Sequence, residues 1–162
     1  MTKLKKIKRK SKYNKAFINL KHYLCRNEVI MDIKEFLNKG DIFAAKAGAQ
    51  LTRIGEGCAE AVMTVTHDHL NAGGVCQGGA IFTLADLALA AVMNNRGLLT
   101  FSLQSSIAFL QSAHEGDTLT AVATETFNHH KIPYIEVKVN NQHNELICAF
   151  TAMAYRTKKE IG

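Results

Sequence analysis

The run Asn71-Ala72-Gly73-Gly74-Val75-Cys76-Gln77-Gly78-Gly79, followed by Ala80 to Met93 with a single acid at Asp86, constrains this chain more than any other feature. The paired glycines mark a sharp loop-to-helix entry. The stretch beyond them, from Ala80, Ile81 and Phe82 to Val92 and Met93, is almost wholly hydrophobic, and a helix apolar on all sides is one the fold must bury. A carboxylate halfway along such a helix opposes folding unless something uses it, because burying an unpaired charge is costly. Asp86 lies too deep in the run to cap the helix, and no Lys or Arg occurs between Asn71 and Asn95 to pair with it locally. Three readings remain: an ion pair with a base on a neighbouring strand, a helix edge facing water, or a functional acid. Unpaired acids in apolar clefts are the usual site candidates, and the functional reading is preferred.

Around this helix the chain has room for one domain and a short appendage: 162 residues can bury a real core. No apolar run is long enough to span a bilayer. The four cysteines, Cys25, Cys58, Cys76 and Cys148, lack CxxC spacing. No signal peptide is evident, so they read as reduced thiols of a cytoplasmic protein rather than a disulfide framework or zinc site. The net charge of +6 is unevenly placed: residues 1–30 hold ten Lys or Arg against one acid, Glu28, while residues 31–162 hold ten against thirteen. Residues 1–30 therefore form a basic extension, either a solvated disordered tail or the product of an upstream start, with Met31 as the true beginning. A tail this short could hold nucleic acid by charge alone but could not read its sequence, so a nucleic-acid partner is not expected.

Periodicity supplies the rest. Met31, Ile33, Phe36 and Leu37, then Ile42, Phe43, Ala44 and Ala47, predict short amphipathic helix. Gly55-Glu56-Gly57 predicts a turn between strands Gln50–Ile54 and Cys58–Thr66. The long helix is expected at about Gly78–Asn94, closed by Asn95-Arg96-Gly97. Beyond it, Leu99, Phe101, Leu103, Ser105, Ile107 and Phe109 alternate with polar residues. Similar alternation through Leu119–Thr124, Ile135–Val139 and Leu146–Ala152 predicts further strands. The expected fold is α+β: one long central helix wrapped by a curved antiparallel sheet of five to six strands.

That arrangement, with His69-Leu70-Asn71 through Gly78-Gly79-Ala80-Ile81-Phe82-Thr83-Leu84-Ala85-Asp86, resembles the hotdog-fold thioesterases of the phenylacetate-degradation (PaaI-like) family. Those proteins carry an Asn, then His-Gly-Gly, then a helix with Ser/Thr-Leu-Ala-Asp. Gly116-Asp117-Thr118-Leu119-Thr120-Ala121 resembles a strand start of the same family. The likeness covers roughly residues 45–156. It implies hydrolysis of acyl-CoA thioesters without metal or redox cofactor, in a homodimer or homotetramer. By position, Asp86 matches the catalytic carboxylate, either general base on water or direct nucleophile, Gly78 the residue whose N–H polarises the thioester carbonyl, and Asn71 a positioning group. Gln77, Gly79 and Ser102 fall to substrate binding, Ser102 by matching a family Ser/Thr near the carboxylate. Gln77 stands where the family usually has His, and Gln cannot titrate near neutral pH. A non-catalytic thioester-binding protein is therefore the alternative.

Helix geometry supports the chemistry independently. A helix N-terminus offers unpaired N–H groups to a developing oxyanion. Gly78 and Asp86 stand eight residues apart, roughly 12 Å along the axis at ~1.5 Å per residue, too far to share one carbonyl. A site using both needs Asp86 from a second subunit, and hence two equivalent sites in a two-fold dimer. Other candidates carry bland readings. His67 and His69 could make a metal pair, but no third ligand is placed, and a solvated loop is expected. His129-His130-Lys131 sits at a bend facing solvent, and Cys76 has no identifiable base.

Overall fold

The computed structural model describes residues 31–161. The expectations for residues 1–30 lie outside the described residues. Two short helices, α1 (Met31–Gly40) and α2 (Ile42–Lys46), precede β1 (Gln50–Gly55) and β2 (Cys58–Thr64). A single 3-10 turn, His67–His69, leads through the glycine loop into α3 (Gly78–Asn94). Four strands complete the chain: β3 (Leu98–Phe109), β4 (Thr118–Phe127), β5 (Tyr134–Asn140) and β6 (Leu146–Glu160). All six strands form one antiparallel sheet in the order β1-β2-β4-β5-β6-β3.

The sheet wraps α3, which touches every strand. Leu84, Ala85, Leu87, Ala88, Leu89 and Ala91 are sealed against the inward residues of β4, β5 and β6, among them Leu119, Ala121, Val137, Val139 and Phe150. Small residues on both surfaces let helix and sheet approach closely. The burial is not complete all round, as the sequence suggested. Gly79, Phe82, Thr83, Asp86 and Ala90, spaced three and four apart, form one stripe that stays partly open. That stripe is the face α1 and α2 only partly cover.

The far end of α3 is pinned by amides. Asn94 and Asn95 are buried: Asn94 Oδ1 accepts from the Thr100 N–H at 2.9 Å, and Asn95 Nδ2 donates to the Gly55 carbonyl at 2.8 Å. Beside them, buried Glu125 receives Arg156 at 3.0 Å and Arg96 at 2.9 Å, tying β4 to β6 and to the end of the helix.

Strand β3 departs from the sequence pattern. Its register against β6 shifts between Ser102 and Gln104, a β-bulge at Leu103. Phe101 pairs with Tyr155 on the outer face, whereas Ser102, Ser105, Ile107 and Phe109 lie opposite the inward residues Ala154, Ala152, Phe150 and Cys148. Unbroken period-2 alternation therefore does not mean one continuous inward face here. Strand β6 also runs beyond Ala152 to Glu160, giving β3 a partner along its length.

Cys76 and Cys148 are buried free thiols, and burial raises both, Cys148 to about 11. No helix among the described residues is long and apolar enough to cross a membrane.

Replacing Glu125 with Gln should leave Arg156 buried without its counter-ion. Breaking such a pair costs about 3–5 kcal/mol. Chemical denaturation should show that loss, whereas Glu56→Gln, at an exposed carboxylate 4.0 Å from Arg96, should change little.

Candidate active site

Gln77 is the N-cap of α3. Its Oε1 accepts from the backbone N–H groups of Gly79 and, at 3.2 Å, Ala80, so two orphan donors of the first turn are satisfied by one side chain. The Gly78 N–H has no acceptor among the described residues. Both glycines have steric reasons to be glycine. A Cβ on Gly79 would sit 2.6 Å from Gln77 Oε1, and one on Gly78 would sit 2.8 Å from the Phe109 ring. Phe109, at the end of β3, thus lies directly over the helix entry, which no sequence pattern indicated.

The loop before the helix is braced by its own amides. Asn71 Oδ1 accepts from the N–H of Gly73 at 2.8 Å and of Val75 at 3.4 Å, leaving its NH2 as the group free for a ligand. Leu70 bridges to Cys76, and the Gln77 N–H donates to the His69 carbonyl at 2.7 Å. His69 is a strut: Nδ1 accepts from the Thr66 N–H at 2.9 Å and Nε2 donates to the Ala47 carbonyl at 3.0 Å. With both ring nitrogens engaged it has none to offer a metal. The strut holds α2 across from the helix entry, and a cleft of about 700 Å³ opens between them, walled by Phe43, Ala47, Leu70, Gln77, Gly79 and Thr83.

Asp86 lies further along the same open stripe. It is half-buried and makes no hydrogen bond or ion pair among the described residues. Burial raises its carboxyl above the ordinary value of 3.8, and the neighbouring charge of Asp41 raises it further. Asp41 is the N-cap of α2, accepting from the Ala44 N–H at 2.9 Å. Both effects make Asp86 a stronger base than a free aspartate.

The structure therefore gathers Gln77, Gly78 and Gly79 at the helix entry, with Asn71 on the loop that leads to it. Neither Gly78 nor Asp86 walls the cleft. Ser102 sits exposed on edge strand β3, opposite Ala154, and makes no hydrogen bond to Asp86. Of the small residues of α3, Ala80 and Thr83 line the cleft, whereas Ala91 is fully buried in the core.

Known proteins share this fold. The thioesterase superfamily profile matches residues 73–148. The acyl-coenzyme A thioesterase PaaI of Escherichia coli is 32% identical over 118 residues, covering 73% of this chain and 84% of that protein. The chain belongs to the thioesterase superfamily. The solved E. coli PaaI structure superposes with a TM-score of 0.76 at 30% identity, covering 79% of this chain and 93% of that one. A protein from Streptococcus mutans, solved bound to acetyl CoA, is 28% identical with a TM-score of 0.67, covering 70% of this chain and 91% of that one. This chain is thus a thioester hydrolase with a PaaI-like hotdog fold, one long helix against a six-stranded antiparallel sheet.

The unpaired Asp86 has a consequence for stability. Its carboxyl is harder to ionise in the folded thioesterase than in the unfolded chain, so the folded state is penalised as pH rises through and above the window that begins at 3.8. Asp86→Asn should therefore melt at a higher temperature than wild type at neutral pH. The difference should vanish well below pH 3.8, which melting curves across pH would show.

Proposed function

We propose that this thioester hydrolase acts on acyl-CoA thioesters, with Asp86 as the base, the Gly78 N–H as oxyanion donor and Asn71 as a positioning donor. The observation that carries this reading is Asp86 itself: a half-buried carboxylate, without a partner among the described residues, held above the ordinary range beside an open stripe of small residues. The acetyl CoA in the S. mutans neighbour supports the coenzyme A portion.

In the proposed reaction Asp86 takes a proton from water as the oxygen adds to the thioester carbonyl carbon. The developing oxyanion rests on the N–H at the helix entry. When the C–S bond breaks, the proton held by Asp86 passes to the leaving sulfur, giving the free acid and the coenzyme A thiol. Asp86 is thereby returned to its starting state.

Gly78 and Asp86 of one chain stand too far apart to share a carbonyl, so the complete site takes its carboxylate from a second copy. Strand β3 supplies a surface for that copy. Among the described residues it is an edge strand of 12 residues hydrogen-bonded only to β6, with Phe101, Leu103 and Phe109 more than half exposed. Long, apolar, unguarded edges invite strand pairing. That surface supports a homodimer, or a homotetramer of two such dimers.

Thiol release from short, medium, long and aryl acyl-CoAs should name the substrate class, with kcat/KM falling by about 10²–10⁴ in Asp86→Asn. No release by the wild type on any substrate, with thioester binding retained, would make the chain a binding protein. The acidic limb of kcat/KM should lie above the ordinary aspartate range, activity rising with pH as Asp86 ionises. Asp41→Asn keeps the α2 cap but removes the neighbouring charge, so it should move that limb to lower pH.

Co-expressing Asp86→Asn chains with Gly78→Pro chains, which lack the main-chain donor at a helix position that tolerates proline, tests the shared site. Random mixing should restore about a quarter of wild-type specific activity, since half the dimers are mixed and each rebuilds one of two sites. A site contained within one chain would restore none.

A further inference from the structure

The family pattern puts His before the paired glycines, and here the residue is Gln77. The amide has two chemically different ends, and the helix fixes which is which. Two backbone N–H groups, Gly79 and Ala80, converge on one end. Only the oxygen can receive both, because an NH2 placed there would oppose donor to donor. The Nε2 end must therefore turn away from the first turn of the helix. Gln77 walls the cleft together with Gly79, and no acceptor among the described residues takes the Nε2 hydrogens.

Residue choice points the same way. Helix N-caps are ordinarily Ser, Thr, Asp or Asn, whose short side chains reach the N2 and N3 donors without a spare methylene. Capping alone gives no reason for the longer amide. An amide that caps with its oxygen and still presents its nitrogen to the cleft does give one.

We infer that Gln77 is a catalytic residue, its Nε2 donating to the thioester carbonyl oxygen beside the Gly78 N–H as a second oxyanion donor. This rests on the proposed use of the helix entry as the carbonyl site. The two donors come from consecutive residues, one main chain and one side chain, both anchored by the start of α3. The covalent steps are unchanged, and the donor gives up no proton. Because an amide does not titrate, its donation is constant across the pH range in which Asp86 changes state.

The deciding variant is Gln77→Glu. Glutamate is nearly isosteric and retains an oxygen for Gly79 and Ala80, and a negative charge at a helix N-terminus is favourable. It loses the NH2 and gains a charge, so the charge-neutral Gln77→Asn is read beside it. If Gln77 is a cap and nothing more, Gln77→Glu should melt no lower than wild type and should turn over normally. As an oxyanion donor, it should melt no lower yet lose about 10²–10³ in kcat.

Affinity for two non-hydrolysable coenzyme A analogues separates this inference from the hydrolase reading. One is a ketone with methylene in place of the thioester sulfur, and the other is a thioether without a carbonyl. The inference expects Gln77→Glu to weaken the ketone at least tenfold more than the thioether. Equal weakening of both, or of neither, overturns it, whatever turnover does. Should the wild type hydrolyse nothing, the hydrolase reading fails, while the ratio of ketone to thioether affinity still decides the role of Gln77. Gln77→Asn, which caps but does not reach, should lose the same carbonyl preference without the added charge.

Discussion

The packing of α3 into the sheet is the constraint on which the other features depend. Every strand touches the helix, so the apolar run from Ala80 to Met93 is both the core of the domain and the frame of the site. Because Leu84, Leu87, Ala88 and Ala91 take the sealed faces, whatever chemistry the helix performs is confined to the open stripe of Gly79, Thr83, Asp86 and Ala90 and to the N–H groups at its entry. Pinning at the other end by Asn94, Asn95 and the Glu125 ion pairs keeps the helix from sliding, which holds that stripe in register with β3 and α2.

Much of this architecture was legible because it rests on periodicity. The bounds of α3, the turn after β1 and the antiparallel order of later strands follow from apolar spacing and glycine placement. The bulge at Leu103 was not legible: an alternating pattern on both sides of an inserted residue reads as one uninterrupted strand, and only pairing with β6 reveals the change of face. The open stripe was also hidden, since Phe82, Thr83 and Ala90 are as compatible with burial as their neighbours. What distinguishes them is how little of α1 and α2 covers them. Asp86 was found because a carboxylate in such a run is costly, an inference that needs no knowledge of what surrounds it.

The site itself divides along the same line. Gly78 was assigned for its N–H, yet the structure gives a reason for glycine itself in the Phe109 ring, a contact between residues thirty-one positions apart that no local pattern encodes. His69 was weighed as half of a metal pair, but its two ring nitrogens brace the loop to α2. Asp41 entered no sequence reading, because its effect on Asp86 depends on how α2 is folded back across the helix. Residues that act through space are the ones sequence spacing misses.

Asp41 shows how the pieces join. Its carboxylate caps α2, whose Phe43 and Ala47 wall the cleft, and its charge makes Asp86 harder to ionise. A neutral cap would build the same wall. The charged one also places a second negative group by the open stripe, which costs stability at neutral pH and strengthens the base. The helix entry offers the opposite sign, with its partial positive charge concentrated where Gln77 leaves the Gly78 N–H unfilled. One helix thus has a proton acceptor at its middle and hydrogen-bond donors at its start, separated by more than a single substrate carbonyl can span. In the proposed dimer a second copy across the β3 edge would bring the two together, so the same hydrophobic edge that would be an aggregation risk in a lone chain would complete the site.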